Sequence, residues 1–245
     1  TILGYFEDEE SAGSARTILF EHFPQTQSSL APVVAQDWNQ TWREQIVPVK
    51  VTDDIWVSPA WRRPQIAPGE MVITIEPKMA FGTGHHESTR LAAMGLARVR
   101  KSLVNGKLLD VGTGSGILCF VAAQYGAASC LGVEIDLCAL ENLAENRREN
   151  PGAGRIDFLF GPLEAIRSSV RFDCAVINMI RTEAQPCLAA VHSLLSESAL
   201  LVWSGLLLEE KDRAGEDARR AGFTIIDDLC ENEWWALIAR KNPSS

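Results

Sequence analysis

From residue 107 onward, short apolar runs alternate with stretches in which apolar side chains recur every three or four positions. The runs at 108–111, 131–135, 156–160, 173–178 and 200–203 read as buried strands. Helical spacing separates them near 117–125, 139–149, 182–195 and 209–221, with Leu140, Leu143, Ala144 and Arg147 as one example. Such alternation predicts an α/β fold, a mostly parallel sheet covered by helices on both faces. The last two runs, 223–229 and 234–240, are joined by only a few residues around Glu231-Asn232-Glu233. A parallel crossover needs about a dozen residues, so these two must form an antiparallel hairpin.

The first 77 residues read differently, holding seven of the eleven prolines and four of the seven tryptophans. Proline at that density rules out a regular α/β repeat. The pattern predicts a strand at 2–6, a helix at about 11–22, and a short helix carrying Trp38, Trp42 and Ile46 at i, i+4 and i+8. Sheet-like pieces follow at 55–57 and 71–75. A division into 1–36, 37–77 and 78–245 follows, with a small α+β region, a linker and the main α/β domain. Thr1 stands where an initiator Met is expected, which points to an upstream start.

Composition narrows the function classes. Net charge is −9, from 23 basic and 32 acidic residues, which argues against a general nucleic-acid binder and permits a basic partner. The six cysteines lie mostly in apolar runs without any C-x-x-C, as expected of buried thiols in a reducing compartment. No run reaches the roughly 18 apolar residues of a membrane span, and cytoplasm is the expected location.

Candidate chemistry centres on Asp110-Val111-Gly112-Thr113-Gly114-Ser115-Gly116. The glycines allow a tight turn beneath a ligand, and Ile117 starts a helix whose free amides face it. Glu134, 22 positions after Gly112, ends the next strand, where it is placed to accept hydrogen bonds from two ribose hydroxyls. Ile117 replaces the third glycine of a dinucleotide turn, and no G-x-x-x-x-G-K-[ST] occurs, so the ligand need not carry phosphate. Asn178 ends the fourth strand at the ligand-binding edge, where its amide oxygen can accept from a substrate amine. Gly82-Thr83-Gly84-His85-His86-Glu87-Ser88-Thr89 joins two glycines, hydroxyls and imidazoles ahead of a helix at 91–97, as expected of a loop folding over a ligand. His85-x-Glu87 lacks the P-C-x-x-C of zinc deaminases, which removes metal binding, and no G-x-S-x-G elbow suggests a serine hydrolase.

The run Glu76-Pro77-Lys78-Met79-Ala80-Phe81-Gly82-Thr83-Gly84-His85-His86-Glu87-Ser88-Thr89, the turn at 110–116, Gly132-Val133-Glu134-Ile135-Asp136 and Asn178 together resemble the bacterial ribosomal protein methyltransferase A family, over about 38–240. That resemblance implies a Rossmann-like class I methyltransferase sheet, mostly parallel with an antiparallel C-terminal hairpin. It also implies S-adenosylmethionine as cofactor and methyl transfer to lysine ε-amines and an N-terminal α-amine of large-subunit ribosomal protein eleven. The implied cofactor-binding set is Phe81, Thr83, Thr89, Asp110, Gly112, Thr113, Gly114, Glu134 and Asn178, with Asn178 also the catalytic candidate and His85 and His86 possible proton acceptors. No direct nucleic-acid or membrane partner is implied. Met179, Ile180, Arg181 and Thr182 depart from the family's usual residues, Glu134 replaces a common Asp, and the front end supplies only part of the family's substrate-recognition domain. Three alternatives remain: a methyltransferase acting on another protein's lysines or on a small amine, a nicotinamide-dependent oxidoreductase, which the hairpin disfavours, and a binding module that keeps a nucleoside pocket without turnover.

Overall fold

A computed structural model describes residues 2–32, 46–77 and 82–243. The chain forms two compact units, Thr1–Gln45 and Ile46–Ser245. In the first, helix α1 (Glu9–His22) starts at Asp8, whose carboxylate accepts from the Ser11 amide at 2.7 Å, and none of its residues is buried. The strand expected at 2–6 is absent: Ile2 and Leu3 are 98% and 77% exposed, and an apolar run with no neighbouring strand has no partner for its backbone. The Trp38 and Trp42 helix lies outside the described residues.

The second unit opens with a small sheet of β1 (Val49–Lys50), β2 (Ile55–Ser58) and β3 (Met71–Thr74), in which β2 pairs antiparallel with β1 and parallel with β3. Helices α2 (Glu87–Arg98) and α3 (Arg100–Leu103) lead into the main alternation. That comprises β4 (Lys107–Val111), α4 (Ile117–Gln124), β5 (Ser129–Glu134), α5 (Leu140–Glu149), β6 (Arg155–Phe160) and β7 (Phe172–Asn178). The remainder is α6 (Arg181–Ala184), α7 (Leu188–Leu194), β8 (Leu195–Leu207), α8 (Lys211–Arg220), β9 (Phe223–Glu231) and β10 (Trp234–Lys241). The helix expected over 182–195 is divided at Pro186, where a 3-10 turn separates α6 from α7.

The seven strands lie in the order β6-β5-β4-β7-β8-β10-β9. Pairings from β6 to β8 are parallel, and β10 runs antiparallel to both β8 and β9, inserted between them. Because β4 lies between β5 and β7, the strand order reverses direction there, and a crevice opens at the carboxyl ends of those strands. One face packs Leu108, Cys174 and Val202 against α2, α4, Ile55 and Ile73 of the small sheet, and Ile75 just after it. The other packs Leu109, Ile177 and Trp203 against α7 and α8.

Helix α5 forms where its periodicity predicts, yet it buries a different face. Leu140 is 50% exposed and Ala144 is exposed, whereas Asn142, Leu143, Asn146 and the capping Asn150 are buried. The asparagines satisfy backbone groups of the small sheet, so burial there follows hydrogen bonding rather than apolarity.

Gly95 gives the helix its close approach to the sheet: a methyl built there would sit 2.5 Å from Val202 Cγ1. Alanine gains about 1 kcal/mol in helix propensity, while overpacking a core costs about 1–3 kcal/mol. Gly95→Ala is therefore expected to lose about 1 kcal/mol net, read as a lower urea midpoint with unchanged slope.

Candidate active site

Strand β4 ends in a turn with Gly112, Gly114 and Gly116 at φ of 68°, 53° and 81°, conformations that glycine adopts without strain. The amides of Gly112 and Thr113 both donate to Val133 O, at 2.9 and 3.1 Å, which fixes the turn to β5. Helix α4 then starts at Gly116 with no side-chain cap. Beneath the turn, Thr113 Oγ1 donates to Asp110 Oδ2 at 2.6 Å, and Cys119 Sγ donates to the same oxygen at 3.4 Å. Asp110 is 1% exposed, and burial pushes its carboxyl up from 3.8 to about 6 against the lowering effect of those two donors.

Glu134 faces the turn from the end of β5. Its Oε2 accepts from the Gly114 amide at 2.9 Å, and its Oε1 from the amides of Ile135 and Asp136 at 2.8 and 3.0 Å. An ionised carboxylate offers about four acceptor positions, so about one remains for a ligand.

Asn178 ends β7. Its Nδ2 donates to Thr89 Oγ1 at 3.3 Å, while its Oδ1 is buried without a hydrogen-bond partner among the described residues. Beside it, Ser204 Oγ donates to Ser88 O at 2.7 Å, which docks the start of α2 on the end of β8. Gly205, at φ 83°, permits this junction: an added Cβ would lie 2.7 Å from the Met179 carbonyl oxygen.

These strand ends surround a cavity of about 1050 Å³ whose lining includes Gly112, Gly114, Glu134, Asn178, Met179 and Trp234. Asp136, Glu164 and Glu183 also line it, together with His86 but, among the described residues, no Lys or Arg, so the described lining favours a cation. His86 accepts from the Ser88 amide at 3.2 Å, capping α2, and meets Trp234 edge-on with ring centroids 4.6 Å apart.

Of the expected residues, Gly112, Gly114, Glu134 and Asn178 therefore line the cavity. Asp110 and Thr113 lie below it and shape the turn, while Thr89 reaches it through Asn178. Thr83 contacts His85 Nδ1 at 3.3 Å, and His85 Nε2 contacts Val47 O at 2.8 Å, outside the cavity lining. Phe81 lies outside the described residues. Sequence reasoning missed Trp234, because an aromatic residue in a strand reads as core. Arg181, noted as atypical, turns to Glu210 and Asp217 at 3.3 and 2.7 Å, leaving Met179 and Ile180 as the atypical residues on the cavity wall.

A parallel nucleoside-type sheet with the hairpin strand inserted between β8 and β9 defines the class I methyltransferase fold. The crystal structure of ribosomal protein L11 methylase from Lactobacillus delbrueckii subsp. bulgaricus superposes with a TM-score of 0.73 at 26% identity, covering 80% of this chain and 100% of that one. A ribosomal protein L11 methyltransferase from Desulforapulum autotrophicum is 33% identical over 206 residues, 83% of this chain and 67% of that protein. One from Clostridium perfringens is 28% identical over 249 residues, 98% of this chain and 78% of that protein. The profile of the family described as Ribosomal protein L11 methyltransferase (PrmA) matches residues 1–242, and the chain belongs to that family.

The raised carboxyl beneath the turn gives a checkable pH dependence. Because the Asp110 value in the fold, about 6, lies above the unfolded 3.8, the folded state binds the extra proton as pH falls between them. The stabilisation from that proton is present below the unfolded value and is lost as pH rises through about 6. Comparing the parent with Asp110→Asn by urea unfolding, the difference should shift in the parent's favour by roughly 2 kcal/mol between about pH 7 and pH 4.

Proposed function

We propose that this chain transfers methyl groups from S-adenosylmethionine to amines of ribosomal protein L11, lysine ε-amines and an N-terminal α-amine. Family membership supports the activity, and the observation that carries the site assignment is the buried Asn178 Oδ1 beside the glycine turn, without a partner among the described residues. A buried acceptor without a partner costs about 1–3 kcal/mol, and an amine N–H supplies what it lacks.

The residues fit the cofactor. Glu134 keeps one acceptor position for a ribose hydroxyl, the left-handed glycines let the backbone pass beneath a ligand, and the carboxylate-lined wall suits a sulfonium. When bound, S-adenosylmethionine supplies an electrophilic methyl group on positively charged sulfur. A nicotinamide dinucleotide would instead bring a pyrophosphate against Glu134, Asp136, Glu164 and Glu183, with no Lys or Arg among the described residues of the lining.

This chain's own task is to hold a neutral amine in line with the transferring group. A lysine ε-amine titrates near 10.4 in water, and desolvation inside the crevice lowers that value and favours the nucleophilic form. Asn178 Oδ1 accepts one amine N–H and orients the lone pair, while Thr89 Oγ1 steadies the amide from behind. Trp234 and His86 form the apolar side of the mouth. Residues 78–245 supply this catalytic part. All six cysteines are free thiols, which supports a cytoplasmic setting, and no helix among the described residues is long and apolar enough to cross a membrane.

A second acceptor protein is favoured by Met179 and Ile180 on the cavity wall, where the family's usual side chains are replaced. Isotopically labelled S-adenosylmethionine, offered with purified unmodified L11 and separately with a whole lysate, distinguishes the two. Label on L11 amines supports the proposal, and label only on another protein overturns the acceptor assignment.

Two substitutions test the roles. Asn178→Ala should cut turnover at saturating cofactor by about a hundredfold or more, read as initial rates of L11 methylation. Glu134→Ala should weaken S-adenosylhomocysteine affinity, read by calorimetry, by about 1–3 kcal/mol; wild-type binding would remove Glu134 from the nucleoside contact.

A further inference from the structure

Asn142, Asn146 and Asn150 recur every fourth residue along one face of α5 and are 2%, 0% and 8% exposed. Four helical residues rise about 6 Å, and two strand residues rise about 6.6 Å. The two repeats nearly coincide, so helix side chains can serve alternate backbone units of an extended segment. Asn150 Oδ1 accepts from the Thr74 amide at 3.0 Å and its Nδ2 donates to Thr74 O at 2.7 Å. Asn146 Oδ1 accepts from the Glu76 amide at 2.8 Å, and Asn142 Nδ2 donates to Glu76 O at 2.8 Å. The helix thus pairs with the outer edge of β3 and the residues after it as another strand would.

The middle rung does more. Asn146 Nδ2 donates to Ser115 O at 2.8 Å, inside the glycine turn. Ser115 Oγ in turn donates to Gly82 O at 2.6 Å, and a Cβ on Gly82 would lie 2.8 Å from that oxygen. One buried amide therefore joins Glu76 to Ser115, and the Ser115 hydroxyl joins the same turn to Gly82. Glu76, through Asn146, and Gly82, directly, are thus both tied to Ser115.

We infer that Asn146 is a positioning residue for cofactor binding: it holds the Gly112–Gly116 backbone in its ligand-ready shape by tethering Ser115 O to the Glu76 segment. This rests on the methyltransferase reading for the identity of the ligand. Asn142 reaches only Glu76 O, and Asn150 holds Thr74 of β3 without bonding to the turn, which makes Asn150 the natural control.

The test compares Asn146→Ala with Asn150→Ala in the full chain. Both should unfold at lower urea concentration, since each loses buried hydrogen bonds. Only Asn146→Ala should speed hydrogen exchange of amides at 114–117 and weaken S-adenosylhomocysteine binding about tenfold, the scale of one lost buried hydrogen bond. Its cofactor KM should rise in parallel while kcat at saturation stays within about twofold. Should Asn146→Ala fail to fold, Asn146→Asp keeps the acceptor for the Glu76 amide and removes the donor to Ser115 O, and the same comparison applies. Equal effects of the 146 and 150 variants on exchange and affinity, or no effect of either, would overturn the inference. Failure of the parent to bind S-adenosylhomocysteine would count against the methyltransferase reading, and the exchange comparison would still decide the role of Asn146.

Discussion

The grip of one carboxylate on three backbone amides organises the ligand-facing edge of the large sheet. Glu134 accepts from Gly114 across the crevice and from Ile135 and Asp136 on its own chain, so the ends of β4 and β5 are held at a fixed separation. Charge-assisted bonds of this kind are about twice as strong as neutral ones. The same side chain lines the cavity. The glycine turn is thereby constrained from the side by Glu134, from below by the Asp110 and Thr113 pair, and from behind by the Asn146 amide.

The opposite wall is built from the hairpin. Arg90 on α2 pairs with Glu231 at 2.5 Å and with Glu87 at 3.7 Å, and it also donates to the His85 carbonyl. Asn232 Nδ2 donates to Glu87 Oε1 at 3.3 Å. These contacts pin the turn between β9 and β10 to the start of α2, and so bring Trp234 against His86. Solvent-exposed ion pairs are individually weak. Arg90, however, is partly buried and serves two carboxylates and a carbonyl, so its contribution is chiefly to fix the position of the hairpin.

The strands and helices beyond residue 107 were legible because buried parallel strands are written as unbroken apolar runs, and the hairpin followed from loop length alone. Gly112, Glu134 and Asn178 were legible for a related reason: spacing along a βαβ unit determines which residues reach the same sheet edge. The burial of α5 was not, since an asparagine that satisfies a distant strand looks identical in sequence to one facing water. Leu140 drew the apolar stripe to the wrong face, and the tertiary partner at Thr74 and Glu76 decided the matter. The strand expected at 2–6 failed for the complementary reason, as apolar character alone supplies no neighbour to pair with. Asp110 belonged to the motif, but its place under the turn rather than in the crevice depends on which way the end of β4 faces.

The position of β10 constrains the order in which the sheet can assemble. It is translated after both β8 and β9, yet it lies between them and pairs with each. The two earlier strands cannot settle as direct neighbours without excluding it, so β9 joins the sheet only through β10, and the two add to the edge of β8 as one hairpin. Trp234 arrives with that segment. The crevice is therefore complete only once the hairpin has docked on β8, because Trp234, which lines the cavity, is carried there by β10.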